Sequence, residues 1–400
     1  MSKLFTNTSV RLIFAVISGL LLGSFASESI IGILLPIKHL LGQIIFFLIP
    51  LIVLGFIAPA ITRLKKNASK LLRLSLVMAY VSCVGSATLA AIVGYKTIPL
   101  IDISSTESTV RALPEMIFRL DIPPIMTVLS ALFLAFIIGV GVLITKSNKI
   151  ESGLYEFQNI VFVAVKRILI PLLPFFIAVN FAIFAYEGDL ISKVPLFLLI
   201  IVITIICHII WLTLLYVLAG IYSGKNPWQV IKHYGPVVLT ALGSQSSAAS
   251  LGVAIEVTRK SKVLEDEVRD FSIPLFGNIH FPGSVLDIVF LVLAVSYLQH
   301  GIIPEIDKML LFIPLLAIFG VAAPGLPGGT LFASLGLIQA VIGIDEAGIA
   351  IMVTLFALLD SFGTAHNITS DGALTLILSK YQNKIKNKKS SINKNINKNQ

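Results

Sequence analysis

Apolar segments of bilayer length recur along this chain, and they leave it few folds to choose from. Stretches at roughly 10–27, 36–62, 72–95, 124–145, 158–186 and 194–223 consist mainly of apolar side chains. A helix needs about 20 such residues to cross a hydrocarbon core. Inside hydrocarbon every backbone N–H and C=O must find a partner, so only helices and closed barrels span. Continuous runs of this length read as helices. Charged residues are 13% of the chain, apolar ones 56%, and the mean hydropathy is +0.95. A soluble domain carries about twice that charge fraction. The chain reads as an all-α polytopic membrane protein.

The net charge of +9 does not argue for nucleic acid as a partner. Much of it lies in the Lys/Asn/Ser-rich run after Lys380, a low-complexity composition expected to be a disordered tail. The remaining basic residues orient the chain. Arg63, Lys65, Lys66, Lys70 and Arg73, then Lys146 and Lys149, then Arg259, Lys260 and Lys262 all fall on one side with both termini if the first segments alternate simply. The opposite loops, Ser27–Leu35, Thr97–Pro123 and Glu187–Lys193, are mixed in sign or acidic. An excess of Lys and Arg marks the cytoplasmic side, so both termini are expected in the cytoplasm and the protein in the cell membrane. Lys3, Arg11 and Leu12–Ala26 resemble a signal peptide, but a retained first span is the reading taken in so apolar a chain. Cys83 and Cys207 sit in apolar segments and read as small buried hydrophobes. No metal-ligand spacing of Cys and His exists. No cofactor is expected beyond a bound sodium ion.

After Gly224 the pattern changes. Pro227–Val257 is apolar but broken by Gly243-Ser244-Gln245-Ser246-Ser247 and Ser250. Phe312–Ile344 is broken by Pro324-Gly325-Leu326-Pro327-Gly328-Gly329, which cannot continue a helix. Non-helical backbone at membrane depth survives only where protein or water covers it. Both segments therefore read as re-entrant helical hairpins whose tips meet inside the protein. Paired interrupted segments point to a transporter's binding site. Between them, Phe271–Leu298 is interrupted by Gly277-Asn278-Ile279-His280-Phe281-Pro282-Gly283-Ser284. An unwound stretch offers backbone carbonyls to a hard cation. Asp287 follows His280 by two helical turns, and an acid with a histidine suits proton movement. A histidine satisfied by a neighbouring carbonyl is the alternative.

The apolar segment Gly348–Leu378 carries two acids. As a helix it places Asp360, Thr364, Asn367 and Asp371 on one face, at i, i+4, i+7 and i+11. Such a stripe is costly against lipid and normally faces protein, a wet cavity or an ion. It reads as a site for a cation and a polar substrate, with a polar helix–helix seam as the alternative.

The order of serine-rich hairpin, unwound seventh span, Gly/Pro hairpin and polar eighth span resembles the dicarboxylate/amino acid:cation symporter family, the glutamate and aspartate transporters. The resemblance runs from the first span to Lys380 and includes KNPWQVIKHYGPVVLTALGSQSSAASL. It implies that Ser246 and Ser247 hold a substrate carboxylate, and that Gly325, Pro327 and Gly328 form the gate at the second tip. Asp360 then receives the substrate amino group, with Thr364 and Asn367 beside it. Asn367 and Asp371 are implied as sodium ligands.

The departures shape the substrate. Gly363 stands where acidic-amino-acid transporters carry an arginine, and no Arg or Lys replaces it between 348 and 378. A buried carboxylate without a cation is expensive, so a small neutral amino acid is expected, in a pocket that Gly363 enlarges. The family's Asn-Met-Asp-Gly-Thr reads His280-Phe281-Pro282-Gly283-Ser284. One sodium site is expected to be absent, in keeping with a half-kept motif around Tyr80-Val81-Ser82-Cys83. His280 joins Asn367 and Asp371 as a metal-site residue, and His280 with Asp287 is the candidate proton carrier.

The expected architecture is eight transmembrane helices plus two re-entrant hairpins. By resemblance, residues 1–70 and 124–190 hold scaffold spans of a homotrimer. Residues 71–123 hold the third span and an outer loop, 191–379 the rest of a mobile transport domain that moves like an elevator, and 380–400 a disordered basic tail. The expected partners are a small solute, a coupling cation and the lipid bilayer. The expected function is cation-coupled symport. Alternatives are a proton-coupled or sodium-independent transporter of a dicarboxylate or other organic solute, an ion channel, and a transport-inactive sensor. A hydrolase built on Ser246 or Ser247 lacks a nucleophile-elbow pattern. His208 and His366 read as packing residues, and Pro171 and Pro174 as a kink.

Overall fold

Apolar runs without strand periodicity fold as helices here, and no strand occurs among the described residues. The protein is known from a computed structural model that describes residues 8–62, 70–101, 111–188, 190–323, 325 and 327–396. The basic cluster at 63–69 and the tip residues Pro324 and Leu326 lie outside the described residues. The first helices are α1 (Thr8–Phe25), α2 (Glu28–Thr62), α3 (Lys70–Thr97), α4 (Val128–Thr145), α5 (Asn148–Ala164), α6 (Ile170–Glu187) and α7 (Leu190–Ser223). A short α8 (Trp228–Ile231) precedes α9 (Gly235–Ser244) and α10 (Ser247–Thr258). Then come α11 (Asp266–Ile279), α12 (Pro282–His300), α13 (Ile306–Ala322), α14 (Gly329–Leu337) and α15 (Glu346–Ile396).

Local chemistry sets the breaks. Pro171 at the start of α6 has no N–H to give the preceding turn, and that turn, Val165–Leu169, widens to a π-helix. α5 and α6 thereby form one bent rod. The seventh span is two helices, because Pro282 occupies the first position of α12 while His280 and Phe281 are extended or irregular. A proline at that position gives up an N–H that is an orphan anyway.

Six helical stretches among the described residues are long and apolar enough to cross a membrane: Glu28–Thr62, Lys70–Leu100, Asn148–Glu187, Pro195–Ser223, Asp266–His300 and Glu346–Lys384. The apolar stretches Phe14–Phe25 and Ser130–Thr145 are shorter. The run after Lys380, expected to be disordered, instead continues α15 as helix to Ile396. No Gly or Pro follows Gly372 in the sequence, so nothing there ends a helix.

Two groups of helices surround different neighbours. α1 packs on α6, and α2 on α4, α5 and α6. α12 packs on α3 and α15, and α15 in turn on α7, α9 and α11. α12 is buried without a break from Pro282 to Ser296, as befits a helix that is apolar on nearly all sides. Its first turns carry Ser284 and Asp287, which belong to the polar interior described next.

Candidate functional site

The two interrupted segments meet at their turns. After α9, Gln245 adopts a left-handed φ of 52° and Ser246 is extended, which reverses the chain. Ser246 caps α10, its Oγ accepting from the Ala249 N–H at 3.3 Å, the usual task of a serine there. The same hydroxyl donates to the Gly325 carbonyl at 2.9 Å, and the Ala248 N–H donates to that carbonyl at 3.3 Å. The second tip thus satisfies donors at the open end of α10. Three residues on, Gly328 has a φ of 71°, a conformation glycine adopts without steric cost. Its N–H donates to Asp360 Oδ2 at 2.8 Å.

Ser247, Gly325, Asp360, Thr364 and Asn367, all expected at the site, line one cavity of about 10 Å³ together with Gln245. That is room for about one water. Pro327 and Gly328 line a separate cavity of about 20 Å³ on the other side of Asp360. A larger cavity, about 530 Å³, reaches Gly325 and Ala248 from a wall made by Phe56, Leu76, Gln158 and Asn159. Gln245, which the sequence did not single out, also donates from Nε2 to the Ala357 carbonyl at 3.0 Å and ties the serine turn to α15.

The polar stripe of α15 faces protein, but its members have separate tasks. Asn367 Oδ1 accepts the N–H groups of Gly283 and Ser284 at 2.7 and 3.3 Å. Its Nδ2 donates to Ser284 Oγ at 2.9 Å. The carboxamide is a cap for α12, and its oxygen is occupied. Asp371 bonds through Oδ1 to His280 Nδ1 at 2.9 Å, and His280 Nε2 bonds Ser82 Oγ of α3 at 2.9 Å. Ser86 donates to the Pro282 carbonyl at 2.8 Å, so one unwound carbonyl is also taken. Of the side chains implied as sodium ligands, Asn367 Oδ1 and Asp371 Oδ1 are hydrogen-bonded, while Oδ2 of Asp371 makes no hydrogen bond.

Three expectations need correction. His280 and Asp287 do not form a pair. The break at His280–Phe281 ends the helical face they would share, and each turns to a different helix. Asp287 Oδ1 bonds His208 Nε2 of α7 at 2.8 Å, and His208 Nδ1 lies 2.9 Å from His366 Nδ1 of α15. His208 and His366 are thus members of a buried polar cluster, not packing residues alone. Gly363, expected to enlarge the pocket, does not line it. It lies in the α12–α15 seam, where a Cβ would collide with Asp287 Oδ2 and lie 3.6 Å from the Gly283 backbone. The signal for His208 was a lone imidazole in an otherwise apolar span. Ser82 and Ser86 were legible only as small polar residues of α3.

Apolar helices of membrane-spanning length, turn tips in contact and a buried polar stripe describe an integral membrane protein. The sequence profile of the sodium:dicarboxylate symporter family matches residues 9–381, and the chain belongs to that family. Its members and the relatives found are transporters, not enzymes. The L-cystine uptake protein TcyP of Bacillus cereus is 26% identical over 166 residues, 40% of this chain and 34% of that protein. Excitatory amino acid transporter 2 of Mus musculus is 23% identical over 246 residues, 60% of this chain and 42% of that protein. The alignments thus span well under half the length of these relatives.

Proposed function

We propose that the protein is a secondary active transporter that moves a small neutral amino acid across the cell membrane, driven by a cation gradient. The observation that carries this reading is the pair of bonds closing the tips. Gly325 O rests on Ser246 Oγ and the Ala248 N–H, and the Gly328 N–H rests on Asp360. An acceptor at the start of α10 stands where a substrate carboxylate would sit, since helix N-termini favour anions. A donor at Asp360 stands where an ammonium would sit. When the tips part, both partners are free for an amino acid backbone. A cavity of about 10 Å³ admits no solute until they do.

No Lys or Arg lines the cavity to meet a second carboxylate, which favours a neutral solute over glutamate or aspartate. The relatives named for cystine uptake and for excitatory amino acid transport support an amino acid. The cavity of about 530 Å³ at Gly325 is the route by which solute leaves. In this reading α1, α2, α4, α5 and α6 are the scaffold of a homotrimer, and the helices around α12 and α15 slide against it. Both termini are cytoplasmic.

A second reading, coupling to protons in place of sodium, is favoured by His280 occupying Asp371. Thermal unfolding of the purified protein separates the two. A bound ligand raises the midpoint by mass action, so sodium and pH are titrated against cystine, small neutral amino acids, glutamate and dicarboxylates. A midpoint raised by a neutral amino acid, with radiolabelled uptake into proteoliposomes, is expected. Preference for glutamate, or no uptake of any solute on the panel, would overturn the proposal.

A further inference from the structure

We propose that the solute's side chain lies in the apolar chamber beyond Asp360, and that this chamber selects an amino acid with a short aliphatic side chain. The inference rests on the transporter reading and names the class of its solute.

Asp360 and Gln245 line both of the small cavities and so form the partition between them. The two sides of that partition differ in chemistry. On one side Ser247, Ser284, Thr330, Thr364 and Asn367 supply hydroxyls and a carboxamide. On the other, the walls are Leu331 and Phe332 of α14, Val353 and Phe356 of α15, and Ile170 and Leu173 of α6. Apart from the partition itself, no polar side chain lines this second chamber among the described residues.

An amino acid is divided in the same way. Its ammonium and carboxylate need polar partners, and an aliphatic side chain needs none. In the transporter reading the ammonium meets Asp360 Oδ2, where the Gly328 N–H now sits. Gly328 lines the apolar chamber, so the place it vacates opens on that side. Ser247, the first residue of α10, lies on the polar side, which is where the carboxylate belongs. The side chain is left the apolar side.

The chamber discriminates against more than charge. Gln245 Nε2 is committed to the Ala357 carbonyl at 3.0 Å, and Asp360 is taken by the ammonium. No donor remains there, among the described residues, for the oxygen of a solute hydroxyl, and burying a hydroxyl without its hydrogen bonds is costly. Size is limited too. The chamber is about 20 Å³ with the tips closed, room for one or two groups the size of water. Pro327 and Gly328 belong to its wall, so it widens as that tip parts. Phe332 and Phe356 are buried and hold the remaining wall in place, as close-packed interiors do.

The test compares two pairs of solutes in which a methyl group and a hydroxyl change places: L-valine with L-threonine, and L-2-aminobutyrate with L-serine. Binding to the purified full chain in detergent, with and without sodium, is read from the unfolding midpoint as each ligand is titrated. A hydrophobic pocket rejects an added hydroxyl by at most about 100-fold. Valine and 2-aminobutyrate are therefore expected to bind about 10- to 100-fold more tightly than threonine and serine. Val353→Thr, which puts a hydroxyl in the wall without changing its shape, is expected to erase most of the valine preference. Equal or reversed preference in either pair of the unaltered protein overturns the chamber assignment and leaves a neutral-amino-acid transporter standing. An unchanged preference in a folded Val353→Thr does the same; if that variant does not fold, the two pairs decide. A protein that binds none of the four, whether or not it binds glutamate, overturns the reading of its solute and the chamber with it.

Discussion

Two buried acid–histidine clusters share α15 and are built differently. In one, His280 is bonded at both ring nitrogens, to Asp371 and to Ser82. In the other, His208 reaches Asp287 on one side and a second imidazole on the other; each cluster leaves one carboxylate oxygen without a hydrogen-bond partner, and the second also leaves His366 Nε2 without one. Each cluster joins three parts of the fold: α3, the break before α12 and α15 in the first, and α7, α12 and α15 in the second. The first ring is held between a carboxylate and a hydroxyl, the second between a carboxylate and another ring.

That contrast can be broken in measurable ways. The largest effect is expected from Asp371→Ala, which strips a fully buried imidazole of its carboxylate. Losing one partner of a buried pair costs about 3–5 kcal/mol, read as a lowered midpoint in denaturant unfolding. An effect near zero would mean that His280 is not anchored there. Gly363→Ala should cost less, about 1–3 kcal/mol as an overpacked contact. It pushes Asp287 off its position, so in 15N-histidine spectra it should move the His208 signals while leaving those of His280 in place. Ser82→Ala removes one hydrogen bond, about 1 kcal/mol, and should leave the His208 signals unchanged. If it moves them, the two clusters act as one. The smallest effect is a coupling energy: Asp371→Asn and Asp287→Asn share no hydrogen-bond partner, so their stability effects should add within about 0.5 kcal/mol.

What could be read from the sequence follows from the range of the interactions concerned. The tips at Gln245–Ser247 and Gly325–Gly329 announced themselves, because serine, proline and glycine break an apolar helix by local rules. Asp360, Thr364, Asn367 and Asp371 were legible as a stripe for the same reason, helical spacing being local. Their partners were not. Asn367 caps α12 only because Pro282 begins a new helix there, and that shift rotates Asp287 away from His280. His208 is 158 positions from His366, a distance over which spacing carries no information. Gly363 misled in a plainer way. A missing side chain reads as room, but the room was already filled by a neighbour's carboxylate.

One feature of α15 has a mechanical meaning. The helix is 51 residues long, roughly 75 Å at 1.5 Å per residue, against about 40–45 Å for a whole bilayer with its headgroups. Asp360 and Asp371 are buried in this rod, and its lysine-rich stretch begins at Lys380, roughly 50 Å from its start at Glu346 and so beyond one bilayer thickness. Any axial displacement of the buried acids is delivered undiminished to the projecting end, which becomes a handle on the interior. A label placed there reports where the site stands, and anything that grips it holds the site still.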